Sequence, residues 1–266
     1  MLKLFKIEWL KIRTYRTFWI LFLGFLVFFP VAFYFSASKY MESHAASLQE
    51  DMLKSMLGAP FVFPKVWLAS SWMGGLFFIL IGMLFILLIT NEVQYRTHRQ
   101  NIIDGWSRIE FLKAKLSVLL FFVLVSTFLI FLVGLLVGVI YSSSTINMFE
   151  GVYYVGYFAL MATLYLMLAF LVGILVKRTG LSIIIYFAIV CIVDNILWLI
   201  FTLKGSQLGY FMPLEAVDSL VPNPFKPKVM ERRTVEDYYL VIAAVAYISV
   251  YAYIIVNYFR KTDLKT

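Results

Sequence analysis

Charge and thiols are what this chain of 266 residues has least of, and each shortage closes off a class of function. Charged residues make up 14% of the sequence, against 62% hydrophobic and 18% aromatic. With a mean hydropathy of +0.88 there is too little polar surface to cover a soluble domain, so the chain reads as an integral membrane protein. A single cysteine, Cys191, excludes an intrachain disulfide and a zinc site of cysteine type. Lying in an apolar run, it reads as a buried, inert thiol. The two histidines, His44 and His98, stand apart from any carboxylate cluster at ligand spacing and read as ordinary polar residues. An enzyme embedded in a membrane needs a constellation at membrane depth, such as paired carboxylates or a histidine beside a nucleophile. Asp194 is the one acid deep in an apolar run, so a non-catalytic membrane subunit with no cofactor or metal of its own is expected. No GxxxxGK[ST] phosphate loop occurs, which excludes P-loop binding of ATP by this chain itself.

What the chain has is length in apolar runs. An N-terminal segment, residues 1–16, places Leu2, Phe5, Trp9 and Ile12 on one helical stripe with lysines elsewhere on the wheel, which predicts an interfacial helix among anionic headgroups. Six spans follow, over 18–35, 67–90, 116–141, 152–176, 181–203 and 238–259. The first exceeds the roughly 7 to 15 residues of a cleaved signal core, although Ser36-Ala37-Ser38 supplies small residues behind it. Between spans one and two, Met41, Ala45, Leu48, Met52 and Met56 recur at helical spacing and predict an amphipathic helix. Trp67 opens the second span as an interfacial aromatic. Gly134 and Gly138 form a GxxxG pair in the third, which permits close helix contact. Before the sixth, Met212 to Leu220 has room for a helical turn or two, and the prolines beyond it require extended or turned backbone. Tyr247, Tyr251 and Tyr258 give the sixth span a tyrosine face suited to helix packing.

Orientation follows from the cations. With the N-terminus inside, 15 of the 23 Lys and Arg fall on inner segments, so both termini are expected in the cytoplasm. The basic excess is thereby a topology signal, and nothing in it argues for nucleic acid.

The most polar interruption is an island from Asn91 to Lys115 between the second and third spans. Thr97 with Gln100, and Ser107 with Glu110, both have capping-box spacing. A short helix over about His98 to Asp104, stopped by Gly105, is therefore expected, with a second helix beginning after Ser107. Asp194 and Asn195, near the middle of the fifth span, carry a cost on the order of 3 kcal/mol on insertion scales, so the acid must face protein or water. Two accounts fit that position: a polar contact that locks helix packing or a dimer interface, or a polar site on a substrate or proton path.

The island carries a resemblance. Glu92 at the end of the second span, then Arg96-Thr97, Arg99-Gln100, Gly105, Ser107-Arg108 and Lys115, is similar to the corresponding stretch in permease subunits of type-2 ATP-binding cassette (ABC) exporters. The layout of the whole chain resembles that family too, with Trp106 where many relatives have proline. The resemblance implies an all-α integral membrane permease with six transmembrane helices and both termini cytoplasmic, a multi-pass protein of the plasma (inner) membrane. It implies a short coupling helix that docks on a separate P-loop ATPase subunit, and a second permease copy or related permease beside it. ATP would be bound by the partner, and the coupling set would be Glu92, Arg96, Thr97, Arg99, Gln100, Asp104, Gly105, Ser107 and Arg108. The segment before the sixth span would resemble an outer re-entrant hairpin. An ion-coupled secondary transporter is the alternative, with Asp194 as its intramembrane charge. A non-transporting membrane scaffold or assembly protein is another, since it would share the composition without needing a coupling helix.

Overall fold

The computed structural model describes residues 2–42, 59–94, 107–144, 146–226 and 233–261. Among these all regular structure is helical. In chain order the helices are α1 (Leu2–Ile12), α2 (Arg16–Glu42), α3 (Val66–Gln94), α4 (Arg108–Tyr141), α5 (Tyr153–Val176), α6 (Thr179–Leu203), the short α7 (Glu215–Asp218) and α8 (Asp237–Lys261). Six of them, α2 to α6 and α8, are long and apolar enough to cross a bilayer. The helix expected around Met41 to Met56 falls largely on residues 43–58, and the short helix of the island on 95–106, both outside the described residues.

Helix α5 is the centre of the bundle. Its buried residues include Phe158, Ala162, Leu164, Leu166, Ala169 and Phe170, so it is enclosed almost all round, as a helix apolar on every face must be when it is not in lipid. Helix α3 packs along it. Phe78 meets Phe158 edge-on at 5.5 Å and Phe85 meets Phe170 at 5.8 Å, the offset geometry that aromatic rings prefer. Helix α2 joins through phenylalanines at helical spacing, Phe18, Phe22, Phe25, Phe29 and Phe33, all buried, while Val27, Phe28, Val31 and Phe35 face outward. It runs seven residues past the expected end at Phe35, because Ser36, Ala37 and Ser38 continue the helix. Ala37 is buried, and the Ser38 hydroxyl donates to Glu42 Oε1 at 2.7 Å.

Two sequence readings change here and one gains a partner. The apolar stripe of α1 packs on protein: the Phe5 and Trp9 rings each lie 5.4 Å from the Phe121 ring of α4, and Ile12 is buried. Trp67 is fully buried and not an interface anchor, with its indole stacked on Phe131 at 5.2 Å and its N–H donating to the Met148 carbonyl at 2.6 Å. Cys191 is exposed, on the outward face of α6. The GxxxG pair is used for close approach. A Cβ on Gly134 would lie 2.8 Å from Ser70 Oγ, and one on Gly138 would collide with the Phe63 ring.

Candidate functional site

At the end of the bundle that carries α1 and both edges of the island, four charged side chains converge. Their positions follow from local rules. Ser107 caps α4: its Oγ accepts from the Glu110 amide at 3.2 Å, and Glu110 Oε2 accepts from the Ser107 amide at 2.8 Å, the reciprocal capping box that the spacing predicts. With the start of α4 fixed, Phe111, Lys115, Val118 and Phe122 share an inward face at helical spacing, and all are buried. Lys115 thus enters the protein two turns into α4, its ammonium 5.3 Å from the Phe111 ring centre. Glu92 approaches from the last turns of α3. Glu8 sits on the same stripe of α1 as Phe5 and Ile12, the one acid in a segment of cations.

Lys115 Nζ pairs with Glu92 Oε1 at 2.6 Å and in the same position with Glu8 Oε2. Lys11, one turn from Glu8, lies 3.0 Å from Glu8 Oε1 and 3.5 Å from Glu92 Oε1. The Lys115 and Glu8 side chains are 3% and 2% exposed, and Glu92 is 12% exposed. Two carboxylates and two ammonium groups balance in charge, the arrangement in which buried ions are tolerated. Burial works against ionisation of Glu8, but Lys115 and Lys11 outweigh it and hold its carboxyl below the usual range. The cluster ties three elements together: the N-terminal helix and the two helix ends that bracket residues 95–106.

Of the coupling set, Glu92 is in this cluster and Ser107 caps α4. Arg108 begins α4 as expected. Arg96, Thr97, Arg99, Gln100, Asp104 and Gly105 lie outside the described residues. Glu8 and its junction with Lys115 were not read from sequence. The one hint in the sequence is that Glu8 is the single acid of α1 and falls on its apolar stripe, which does not name its partner.

Asp194 and Asn195 do not act as a pair. A π-turn over Ile189–Val193 interrupts α6 just before Asp194, and such a turn re-aims the side chain that follows. Among residues 191–197 Asp194 alone is buried. Its carboxylate accepts from the Leu214 amide at 3.2 Å and the Glu215 amide at 2.7 Å, so it caps α7 in the segment before α8. Asn195 is exposed, and its Nδ2 donates back to the carbonyls of Val190 and Cys191 at 3.3 and 3.4 Å. Residues 204–226 turn back onto α6 as a hairpin, with a tight turn over Gln207–Phe211 before α7, and bring further acids that are not conspicuous in the sequence. The Tyr165 hydroxyl of α5 contacts both Asp218 carboxyl oxygens at 2.9 Å, Ser219 Oγ donates to Glu215 Oε1 at 2.7 Å, and the Tyr247 hydroxyl donates to the Phe211 carbonyl at 2.8 Å. Burial pushes the Glu215 carboxyl up to about 7 and, with Glu215 nearby, that of Asp218 up to about 8. Arg233 closes the hairpin on α8, donating to the Ser219 carbonyl at 3.0 Å and to Asp237 at 2.6 Å. Among the described residues no group of three or more His, Cys, Asp or Glu is placed to hold a metal ion.

The six spans thus carry a charged junction at one end and a segment clamped by Asp194 at the other. A model of the family described as "ABC-2 family transporter protein" matches residues 4–194. The chain belongs to that family. The match runs from α1 through the island to Asp194, and so includes the whole ion cluster. Neither the curated proteins nor the solved structures give a match. As an ABC-2 permease this is a multi-pass membrane component of a transporter, of a family whose members in general work with an ATPase partner.

Proposed function

We propose that the chain is the permease subunit of an ATP-driven exporter whose ATPase is a separate polypeptide. Two copies, or this chain and a related permease, enclose the translocation pathway beside two ATPase subunits. Both termini and the island lie in the cytoplasm, in keeping with the distribution of Lys and Arg. The coupling helix in this reading is the one expected over about His98 to Asp104, with Arg96, Arg99 and Asp104 as the contacts to the ATPase.

The observation that supports this reading best is the buried Lys115, bonded at once to Glu92 and Glu8. A displacement of the island reaches the membrane through the ends of α3 and α4. Because Lys115 and Glu92 join those ends and Glu8 adds α1, the three helices respond as one body and not by fraying separately. A lever of that kind can switch the pathway between inside and outside access when the ATPase pair closes on ATP. In this reading the segment clamped by Asp194 and Asp218 at the other end serves as the outer gate.

The test is co-purification. The tagged protein in mild detergent is expected to bring a P-loop ATPase with it, and an Arg99→Glu, Gly105→Pro variant is expected to lose the ATPase while inserting normally. Retention of ATPase and transport by that variant would sink the assignment of the island. Absence of an ATPase under all conditions would remove the engine from the proposal and turn attention to ion coupling at Asp194.

A further inference from the structure

Helices α5 and α6 are joined by two residues, Lys177 and Arg178, and this turn borders a cavity. With Gln94, Thr179 and Gly180 it lines an open space of about 560 Å³, within the range that holds a group of small-molecule size. No carboxylate pairs with Lys177 or Arg178 among the described residues; Lys177 instead lies 6.0 Å over the Tyr258 ring. Two cations therefore face a space into which no carboxylate of the described residues is paired.

The backbone adds donors to the same space. No side chain caps the start of α6 at Arg178, so the first amides, including those of the lining residues Thr179 and Gly180, have no partner within the helix. A Cβ built on Gly180 would meet nothing within 4 Å, which shows that this wall of the cavity is open. Thr179 is held in place by its hydroxyl, 2.8 Å from that of Thr90 on α3.

Depth selects the ligand. Helix α5 has 24 residues and α6 spans 25, lengths of about 36 Å, against about 30 Å for the hydrocarbon core. A two-residue turn at the end of such helices stays in the headgroup layer, where lipid phosphates lie, and does not reach into the aqueous phase. On the face of α6 that begins at Gly180, Ile184 and Phe187 follow at helical spacing, 65% and 44% exposed. An apolar exposed strip directly beneath a cationic cavity suits acyl chains below a phosphate.

We propose that this turn is a binding site for an anionic phospholipid, its phosphate held by Lys177, Arg178 and the first amides of α6 and its chains lying along Ile184 and Phe187. The site is independent of the ATPase reading, since it needs only the membrane position of α5 and α6.

The experiment is native mass spectrometry of the purified full chain with equal amounts of phosphatidylglycerol or phosphatidylcholine. The natural protein is expected to retain phosphatidylglycerol in preference. Arg178→Gln is expected to weaken that retention roughly fivefold, the effect of about one cation near a membrane surface. Gly180→Leu, whose Cβ meets no protein atom within 4 Å and whose side chain takes up part of the space beside the first amides of α6, is expected to weaken it further, and both variants should keep the natural unfolding midpoint. Equal retention of both lipids, or undiminished retention by the variants, overturns the site. Displacement of the lipid by millimolar inorganic phosphate would make it a site for a free anion and overturn the lipid assignment. Variants that keep the lipid but lose a co-purifying ATPase would show that the turn serves a protein partner instead.

Discussion

Deleting the Lys115 charge isolates the ion cluster from everything around it. Lys115→Met keeps most of the apolar stem and removes the ammonium that contacts both Glu8 and Glu92. Breaking a buried ion pair from one side costs about 3–5 kcal/mol, because the abandoned charge stays buried. Here two carboxylates lose their nearest cation, but Lys11 remains 3.0 Å from one and 3.5 Å from the other on a side chain that is 33% exposed. That fallback places the expected loss at the lower end, about 3 kcal/mol. Replacing all three charges, Glu8→Leu, Glu92→Leu and Lys115→Met together, is expected to recover stability to within about 1 kcal/mol of the natural chain, since apolar packing substitutes well for a buried ion cluster. The assay is equilibrium unfolding in mixed micelles titrated with a denaturing detergent. Acid gives a second reading. The folded Glu8 carboxyl is held below its ordinary 4.5, so its contribution is present above that pH and lost as pH falls through the folded value. A Lys115→Met protein that unfolds within about 0.5 kcal/mol of the natural chain, the range of an ordinary surface change, would refute the cluster as a buried, paired junction.

At the hairpin, Asp194→Ala leaves the Leu214 and Glu215 amides without their acceptor. Hydrogen bonds to a charged group are worth about 1.5–3 kcal/mol each, so a loss of about 2–4 kcal/mol and faster proteolysis between residues 204 and 226 are expected, with Asp194→Asn milder because one oxygen still accepts. The Glu215 and Asp218 carboxyls, raised from 4.5 and 3.8 to about 7 and about 8, hold protons in the folded protein that the unfolded chain releases. Their stabilising contribution is full below about pH 4 and is lost as pH rises through the folded values, so the Tm should fall between pH 5 and 9, and Asp218→Asn should flatten that slope. Gly138→Leu drives a side chain into the Phe63 ring and is expected to cost at least 1–3 kcal/mol, roughly the range for overpacking, whereas Gly156→Leu, with nothing within 4 Å, is expected to be neutral in the same unfolding titration.

Much of the architecture is written in one dimension. A run of about 20 apolar residues in lipid has one economical answer, a helix that satisfies its own backbone, so the number of spans and their order follow from composition and length. The ends of the spans are local matters as well. Ser107 and Glu110 three residues apart cap α4 through contacts within one turn, and the prolines after Leu220 forbid a helix there. The family, too, is legible in the order of spans and in the residues of the island.

What sequence could not reveal is which side chains meet across helices, because periodicity gives the face of a helix but not its neighbour. Phe5, Trp9 and Ile12 form an apolar stripe whether the stripe lies on lipid or on Phe121, and only the packing of α1 on α4 decides that it is on protein. Glu8 and Lys115 are 107 residues apart, and each looks like a surface charge near a span until the fold makes them partners in a buried junction. Asp194 is a lone acid in a span by sequence, yet a single π-turn aims it at the amides of a hairpin 20 residues later. Composition, span length and capping fixed the elements, since these act within a few residues of each other; the pairing of charges and the caps between distant segments required the tertiary structure, since only burial from several sides turns a charge from a solvated group into a joint.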